Sequence, residues 1–347
     1  MNTMKAAELL IQKIEKDYKD DIAMVVMYGS RLYEDTHEKS DIDLFFIPKT
    51  KRGEQLGLVF IIDGIGFDFW PISWERLEGI ANFDERLPAI IAEGKILYCA
   101  SNEDLARYSI LKDKILTNDD EDFFYQKAKS KFKQIYEPYY KMNQDNEYIA
   151  LVRLQGIRII YILAEVIALL NKTYIKRGRG FLKKELLSFE FFPIDFDLHF
   201  DLFFTSSSEN ELVEAVKTMV FQVESMITDM DYMSKPKHIK DTFKGFYEEI
   251  INHYNKIERA CEIGDTVTAL CAAAELNIEL EGVFEGTEET IDILPGILPA
   301  YSSDSITLFC KRAKMNHNVL LNVLDKYEVE VTHFADFEAL EDYLDLL

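Results

Sequence analysis

Within the first hundred residues, short apolar runs recur too closely for helices and are separated by turn signals. They are IAMVVM at 22–27, DIDLFFIP at 41–48, LVFII at 58–62, IGFDFWPI at 65–72 and KILYCA at 95–100. Runs of this length, rich in β-branched and aromatic residues, read as strands. Asp63–Gly64 between the third and fourth runs is a strong short-range hairpin signal. Leu9, Leu10, Ile14 and Tyr18 recur at helical spacing, so residues 4–18 are expected to form an amphipathic helix, with a second helix over 74–93. A chain patterned this way is confined to a small mixed sheet with helices packed on it, placed here at residues 1–103.

Beyond residue 104 the pattern turns helical. FFYQKAKSKFKQIYEPYYK and YIALVRLQGIRIIYILAEVIALLNK have helical spacing and few turn signals. Ser208 and Glu211 fit a capping box ahead of LVEAVKTMVFQVESMI. Residues 238–260 and 265–283 read as two further helices broken at Gly264. The tail from Asp325 carries eight acidic residues and one lysine and reads as a solvated end. The expected architecture is therefore α+β, with residues 104–347 a mainly helical bundle subdivided near 235.

The formal charge of −23 repels phosphate backbones, so no nucleic-acid partner is expected. The N-terminus lacks the apolar stretch of a signal peptide, and the most apolar segment, 157–170, is interrupted by Arg158 and Glu165 and is too short to span a bilayer. Cys99, Cys261, Cys271 and Cys310 have no metal-ligand spacing and read as reduced core thiols. A cytoplasmic protein without membrane contact is expected.

MYGSRLYEDTHEKSDIDLFF, residues 27–46, carries the chemistry. On a strand, Asp41 and Asp43 share one face while Ile42 and Leu44 point into the core. Two carboxylates so placed suit a divalent cation: Mg²⁺ takes one or two carboxylates and fills its shell with water and substrate phosphates. Two such ions, about 3.5–4 Å apart, can stabilise the attacking and leaving oxygens of an in-line displacement. Gly29 lets backbone approach a ligand, and Ser30 offers a hydroxyl and an N–H to phosphate oxygens. Arg31 and Lys39 are candidate phosphate contacts, though such loop charges are ordinarily solvated. His37 has no metal partner at useful spacing.

A Gly-Ser pair, an eleven-residue interval and Asp-x-Asp in an apolar strand resemble the DNA polymerase β-like nucleotidyltransferase superfamily. With a helical second domain, the chain looks most like its antibiotic nucleotidyltransferases of the aminoglycoside and lincosamide type. The resemblance covers residues 20–100 and extends loosely into the helical region. It implies a third carboxylate on a neighbouring strand, matched by Asp68 in GFDFWPI, with Asp63 left as a turn residue. It also implies one or two Mg²⁺ at Asp41, Asp43 and Asp68, and ATP or another nucleoside triphosphate as donor. A nucleoside monophosphate would pass to a hydroxyl of a small molecule; given the acidity, that acceptor is expected to be cationic and aminoglycoside-like. Two other readings stay open: a protein acceptor, as for AMPylating antitoxin-type relatives, and a non-catalytic nucleotide-binding module.

NKTYIKRGRGFLKK, residues 171–184, places Lys176, Arg177, Arg179, Lys183 and Lys184 together. In so acidic a chain this patch either neutralises a triphosphate or is a solvated loop. On the long helix, Arg158 and Glu165 are seven apart and share a face. Glu165 is a candidate general base, the resemblance implying a glutamate from the helical domain in that role; the competing reading is a buried ion pair with Arg158. Arg312 and His317 match the R-x4-H pattern of HEPN-type ribonuclease toxins. Two fixed positions recur by chance, and the charge argues against RNA.

Overall fold

The computed structural model describes residues 4–33, 40–144, 149–234, 237–302 and 305–345. It has the α+β architecture expected. The chain divides into two compact units, Met1–Ile227 and Thr228–Leu347. No helix among the described residues is long and apolar enough to cross a membrane.

The first unit opens with helix α1 (Met4–Asp17) and a five-stranded sheet: β1 (Ile22–Tyr28), β2 (Asp43–Pro48), β3 (Leu58–Ile62), β4 (Ile65–Pro71) and β5 (Lys95–Cys99). The spatial order is β3-β4-β2-β1-β5. β2 and β4 run parallel and the other neighbours antiparallel. Ala6, Ala7, Leu10 and Ile14 of α1 pack on one face, against Val25, Met27, Leu44, Phe46 and Phe67. The alternation of a strand then sends Tyr28, Asp43, Asp68 and Trp70 to the other face. The β3–β4 hairpin turns at Asp63 and Gly64, which take φ of 50° and 77°. At the opposite end of β2, buried Asp21 accepts a hydrogen bond from Thr50 Oγ1 at 2.5 Å and pairs with Arg52.

Two expectations are corrected here. Residues 74–93 form two helices, α2 (Trp74–Ala81) and α3 (Pro88–Ala92). Phe83 takes φ of 60° and Pro88 occupies the first turn of α3, so the chain cannot continue as one helix. The second strand starts at Asp43, because the Arg31 guanidinium holds the carbonyls of Ser40 and Asp41 ahead of it. His37 and Lys39 lie outside the described residues.

After the sheet the described residues form helices α4 (Asn102–Thr117), α5 (Glu121–Phe132), α6 (Tyr136–Gln144), α7 (Ile149–Leu170), α8 (Leu182–Leu186), α9 (Phe196–Thr205) and α10 (Glu209–Ser234), the last running past the end of the unit. The long apolar α7 packs against α5 and α6. In α7, Gly156 allows α9 to come close: a Cβ there would stand 2.3 Å from Phe203 Cε2. At the start of α10 the Glu211 N–H points to Ser208 Oγ at 3.5 Å, while the Glu211 carboxylate takes its bond from Ser206 Oγ at 2.5 Å. The capping box is thus shared between two serines. Gly156→Ala should destabilise this unit by about 1–3 kcal/mol, the usual cost of overpacking, read as a lower midpoint in denaturant unfolding.

In the second unit, α11 (Phe246–Ile263) and α12 (Thr266–Phe284) form an antiparallel pair on which α13 (Thr307–Lys326) packs, and α14 (Phe337–Leu344) is an exposed helix in the acidic tail. Gly264 ends α11 at φ 73°, and the Asp265 carboxylate accepts the Thr268 N–H at 3.0 Å to start α12. Ile250, Tyr254 and Ile257 meet Leu276, Phe309 and Leu320 in the core. A disulfide between Cys261 and Cys310 ties α11 to α13, which corrects the reading of four reduced thiols; Cys99 and Cys271 are free. The reason is tertiary: α11 and α13 bring residues 49 apart in sequence to a Cα separation of 6.1 Å.

His317 of α13 stacks on Tyr254 at 4.0 Å between centroids, with Nε2 2.9 Å from the Tyr247 hydroxyl. Burial holds its pKa below the ordinary histidine value, with a small opposing pull from Glu258. A depressed histidine leaves the unfolded chain binding more protons below pH about 6.5, so its stabilisation is complete above that value and lost as pH falls. Thermal unfolding of wild type should therefore weaken between pH 7 and 5.5 more steeply than in His317→Phe, which keeps the stack and cannot titrate.

Candidate active site

The site begins with a cross-strand pair. Tyr28, the last residue of β1, lies opposite Asp43, the first of β2. In the next ladder Leu44 pairs with Phe69, so Asp43 and Asp68 are the preceding residues of two parallel strands and share a face. Asp41 precedes β2 by two residues. The three carboxylates all act on the Tyr28 hydroxyl, whose pKa is raised by burial first and by Asp43, Asp68 and Asp41 after it. Asp43 itself is pushed up to about 6, chiefly by burial and then by Asp41, while Arg179 and Arg31 pull it down.

Gly29 sits directly against this carboxylate. A Cβ at Gly29 would stand 1.9 Å from Asp43 Oδ2, and its φ of 81° belongs to the region glycine tolerates. Ser30 then opens a single helical turn, Ser30–Tyr33. Arg31 is turned back onto the chain, with Nε donating to the Asp41 carbonyl at 2.8 Å. Its observed bonds to Ser40 and Asp41 brace the approach to the aspartates.

The basic segment follows α7 and is built around a carboxylate. Glu185 accepts the N–H groups of Lys176, Arg177 and Gly178 at 2.7, 2.8 and 3.0 Å. Lys176 pairs with Glu93 at 3.3 Å, and the Tyr174 hydroxyl donates to the same carboxylate at 2.6 Å. The Arg177 guanidinium lies 3.3 Å from the Phe181 ring centroid and 4.9 Å from that of Tyr33, so the basic segment meets the turn that follows Gly29–Ser30. Arg179, at φ 45°, makes no ion pair among the described residues, and its charge is felt at Asp43. A cavity of about 410 Å³ lies beside this loop, lined by Arg86, Tyr161, Lys176, Arg177 and Arg179 among others.

Glu165 lies at the edge of that cavity, bound by Arg86 at 2.6 Å and Lys131 at 2.9 Å. Burial raises its pKa, against the pull of Lys131 and Arg86. The partner expected on its own helix, Arg158, bonds instead to Gln155 Oε1 at 3.1 Å. Tyr28, Arg86, Glu93 and Glu185 enter the site without having been singled out in the sequence. For Tyr28 a signal existed: it is the residue immediately before Gly29–Ser30. The others come from distant segments.

Among the described residues, no three His, Cys, Asp or Glu side chains are gathered into a ready-made metal site. The Asp41–Asp43 pair still fits Mg²⁺, which requires only one or two carboxylates when phosphate oxygens and water supply the rest. The donors are hard oxygens. The absence of a Cβ at Gly29 leaves room for the Asp43 carboxylate.

Residues 105–233 match the family model of the KNTase C-terminal domain. This match covers α5 to α9 and most of α4 and α10, and supports the resemblance to antibiotic-type nucleotidyltransferases carried by the N-terminal motif. No curated relative matches the chain. Among solved structures, a nucleotidyltransferase-like protein from Exiguobacterium sibiricum is similar at 12% identity and a TM-score of 0.39, over 64% of this chain and 75% of that one. That likeness is too distant to carry an argument about the site.

Gly29→Ala should displace the Asp43 carboxylate and strain the backbone, costing about 1–2 kcal/mol. Thermal unfolding should register the loss, and calorimetric binding of Mg²⁺ with a non-hydrolysable nucleotide should fall at least tenfold.

Proposed function

We propose that the protein is a Mg²⁺-dependent nucleotidyltransferase that moves a nucleoside monophosphate, AMP from ATP by default, to a hydroxyl group of a small molecule. The observation that carries the reading is that Asp43 and Asp68 share one face of neighbouring parallel strands, that with Asp41 they all act on Tyr28, and that the charge of Arg179 reaches Asp43. The family match over residues 105–233 supports the same reaction class.

Asp41 and Asp43 would hold the metal, with Asp68 on the adjacent strand completing the set. When bound, Mg²⁺ supplies charge neutralisation to the phosphates and polarises the reacting phosphorus. Gly29 and the Ser30 hydroxyl and N–H receive the β- and γ-phosphates, and Lys176 and Arg177 supply cations to the triphosphate. The acceptor oxygen attacks the α-phosphorus, forming the new P–O bond. The bond from that phosphorus to the oxygen bridging to the β-phosphate breaks, and pyrophosphate leaves. The hydroxyl proton passes to Asp68, the exposed member of the three, and from there to water. Glu165, tied by two cations, serves in this scheme to position Arg86 beside the basic loop. Most of the rate then comes from positioning and charge.

Transfer should carry label from α-labelled and not from γ-labelled ATP into the acceptor. Asp41→Asn and Asp43→Asn should each lower it by about 10²-fold or more, while thermal unfolding stays level or rises slightly in Asp43→Asn, which removes a half-buried charge. Equal transfer by wild type and both variants would refute the proposal.

A further inference from the structure

A second cavity, of about 340 Å³, adjoins the cationic one and shares Tyr161, Arg179 and Leu182 with it. Its walls are apolar: Ile157 and Ile160 from α7, Leu182 from α8, and Phe200 and Phe204 from α9, whose rings pack at 4.8 Å. Only Arg179 and Lys183 bring charge to its lining, and no carboxylate lines it among the described residues. Ligand cavities of this size hold an apolar body and orient it with a few polar groups.

The acidic groups around the two cavities are already committed. Glu165 is held by Arg86 and Lys131, Glu93 by Lys176 and Tyr174, Asp201 by Lys183 at 2.5 Å, and Glu185 by three backbone N–H groups. A polyamine would bring several ammonium groups against a lining whose charged members are Arg179 and Lys183 and which offers no carboxylate of its own. Arg179, where the two cavities join, has the opposite property: it is a cation without an ion pair among the described residues. Arg179 itself is flanked by Gly178, at φ 59°, and by Gly180.

We infer that the acceptor is a hydroxylated molecule with an apolar or aromatic body and one anionic group, its body against Ile157, Ile160, Phe200 and Phe204 and its anion on Arg179. This rests on the nucleotidyl-transfer reading and replaces the polycationic acceptor suggested by the net charge. The chemistry of transfer is unchanged: the acceptor hydroxyl forms the bond to the α-phosphorus, pyrophosphate leaves, and the proton goes to Asp68. Arg179 acts at the junction as a specificity-determining residue, between the carboxylates it faces and the cavity it lines.

Two probes of matched shape and opposite charge test this: 3-(4-hydroxyphenyl)propanoate and tyramine, with the polycation tobramycin as a third. Binding to the full chain is measured by calorimetry, without nucleotide and with Mg²⁺ and α,β-methylene-ATP. The propanoate should bind at least tenfold more tightly than tyramine or tobramycin in both conditions. Arg179→Gln should shrink that preference to threefold or less, and Phe204→Asp, at a half-exposed position, should weaken propanoate binding at least tenfold. Tighter binding of tyramine or tobramycin, no binding of the propanoate, or a preference indifferent to Arg179 and Phe204 would overturn the inference. The nucleotide arm separates the two proposals. Failure of wild type to bind Mg²⁺ with α,β-methylene-ATP counts against nucleotidyl transfer, whereas the nucleotide-free arm still decides the ligand class of this cavity.

Discussion

A carboxylate taken partly out of water beside another carboxylate is costly unless something positive meets it. Asp43 is in that position, opposite Tyr28 and pressed on the backbone of Gly29. Much of the first unit serves to keep it there. The central pairing of β1 with β2 sets its height, the hydrophobic packing of α1 on the far face sets its direction, and Arg31 secures the chain just ahead of it. The residual electrostatic cost is the upward displacement of the Asp43 pKa, caused by burial and by Asp41 and only partly offset by Arg179 and Arg31.

The counter-charge arrives from a different part of the chain. The basic loop after α7 would have little reason to hold one shape by itself, being rich in lysine, arginine and glycine. Glu185 gives it one by gathering three consecutive N–H groups, and Glu93 fixes Lys176 and Tyr174. Net charge is therefore a poor guide to the site. The chain carries −23 overall, yet the two cavities at the basic loop are lined by arginine, lysine, aromatic and aliphatic residues with Glu165 as their one carboxylate among the described residues. Acidity distributed over a surface is screened beyond about 8–10 Å at ordinary salt, whereas the few charges lining a cavity act at contact distance.

The second unit is organised on other terms. Its core is a layer of Tyr, Ile, Leu and Phe between α11, α12 and α13, with a disulfide joining two of the helices. Arg312 and His317 belong to α13, but His317 is engaged by Tyr254 and Tyr247. Its ring is accounted for by packing and one hydrogen bond, which is the ordinary fate of a half-buried histidine.

Local chemistry made part of this legible in the chain. Strand alternation, the Asp63–Gly64 turn and the helical spacing after residue 104 follow from backbone sterics and periodicity, so the sheet and the helices could be placed, with Asp41 and Asp43 on one side of a strand. Breaks set by single residues were harder: the helix over 74–93 divides because Phe83 adopts a positive φ ahead of Pro88. The pairing of Cys261 with Cys310, the exchange of Arg158 for Arg86 and Lys131 as partners of Glu165, and the seating of Arg179 near Asp43 were not legible at all. Sequence alone determined which groups were present and which face each element would bury, because those depend on neighbours within a few residues. Only the tertiary structure decided which charges meet, because electrostatic energy depends on distance and burial in space, and residues 43 and 179 are brought within reach of one another only when the sheet and the helices pack.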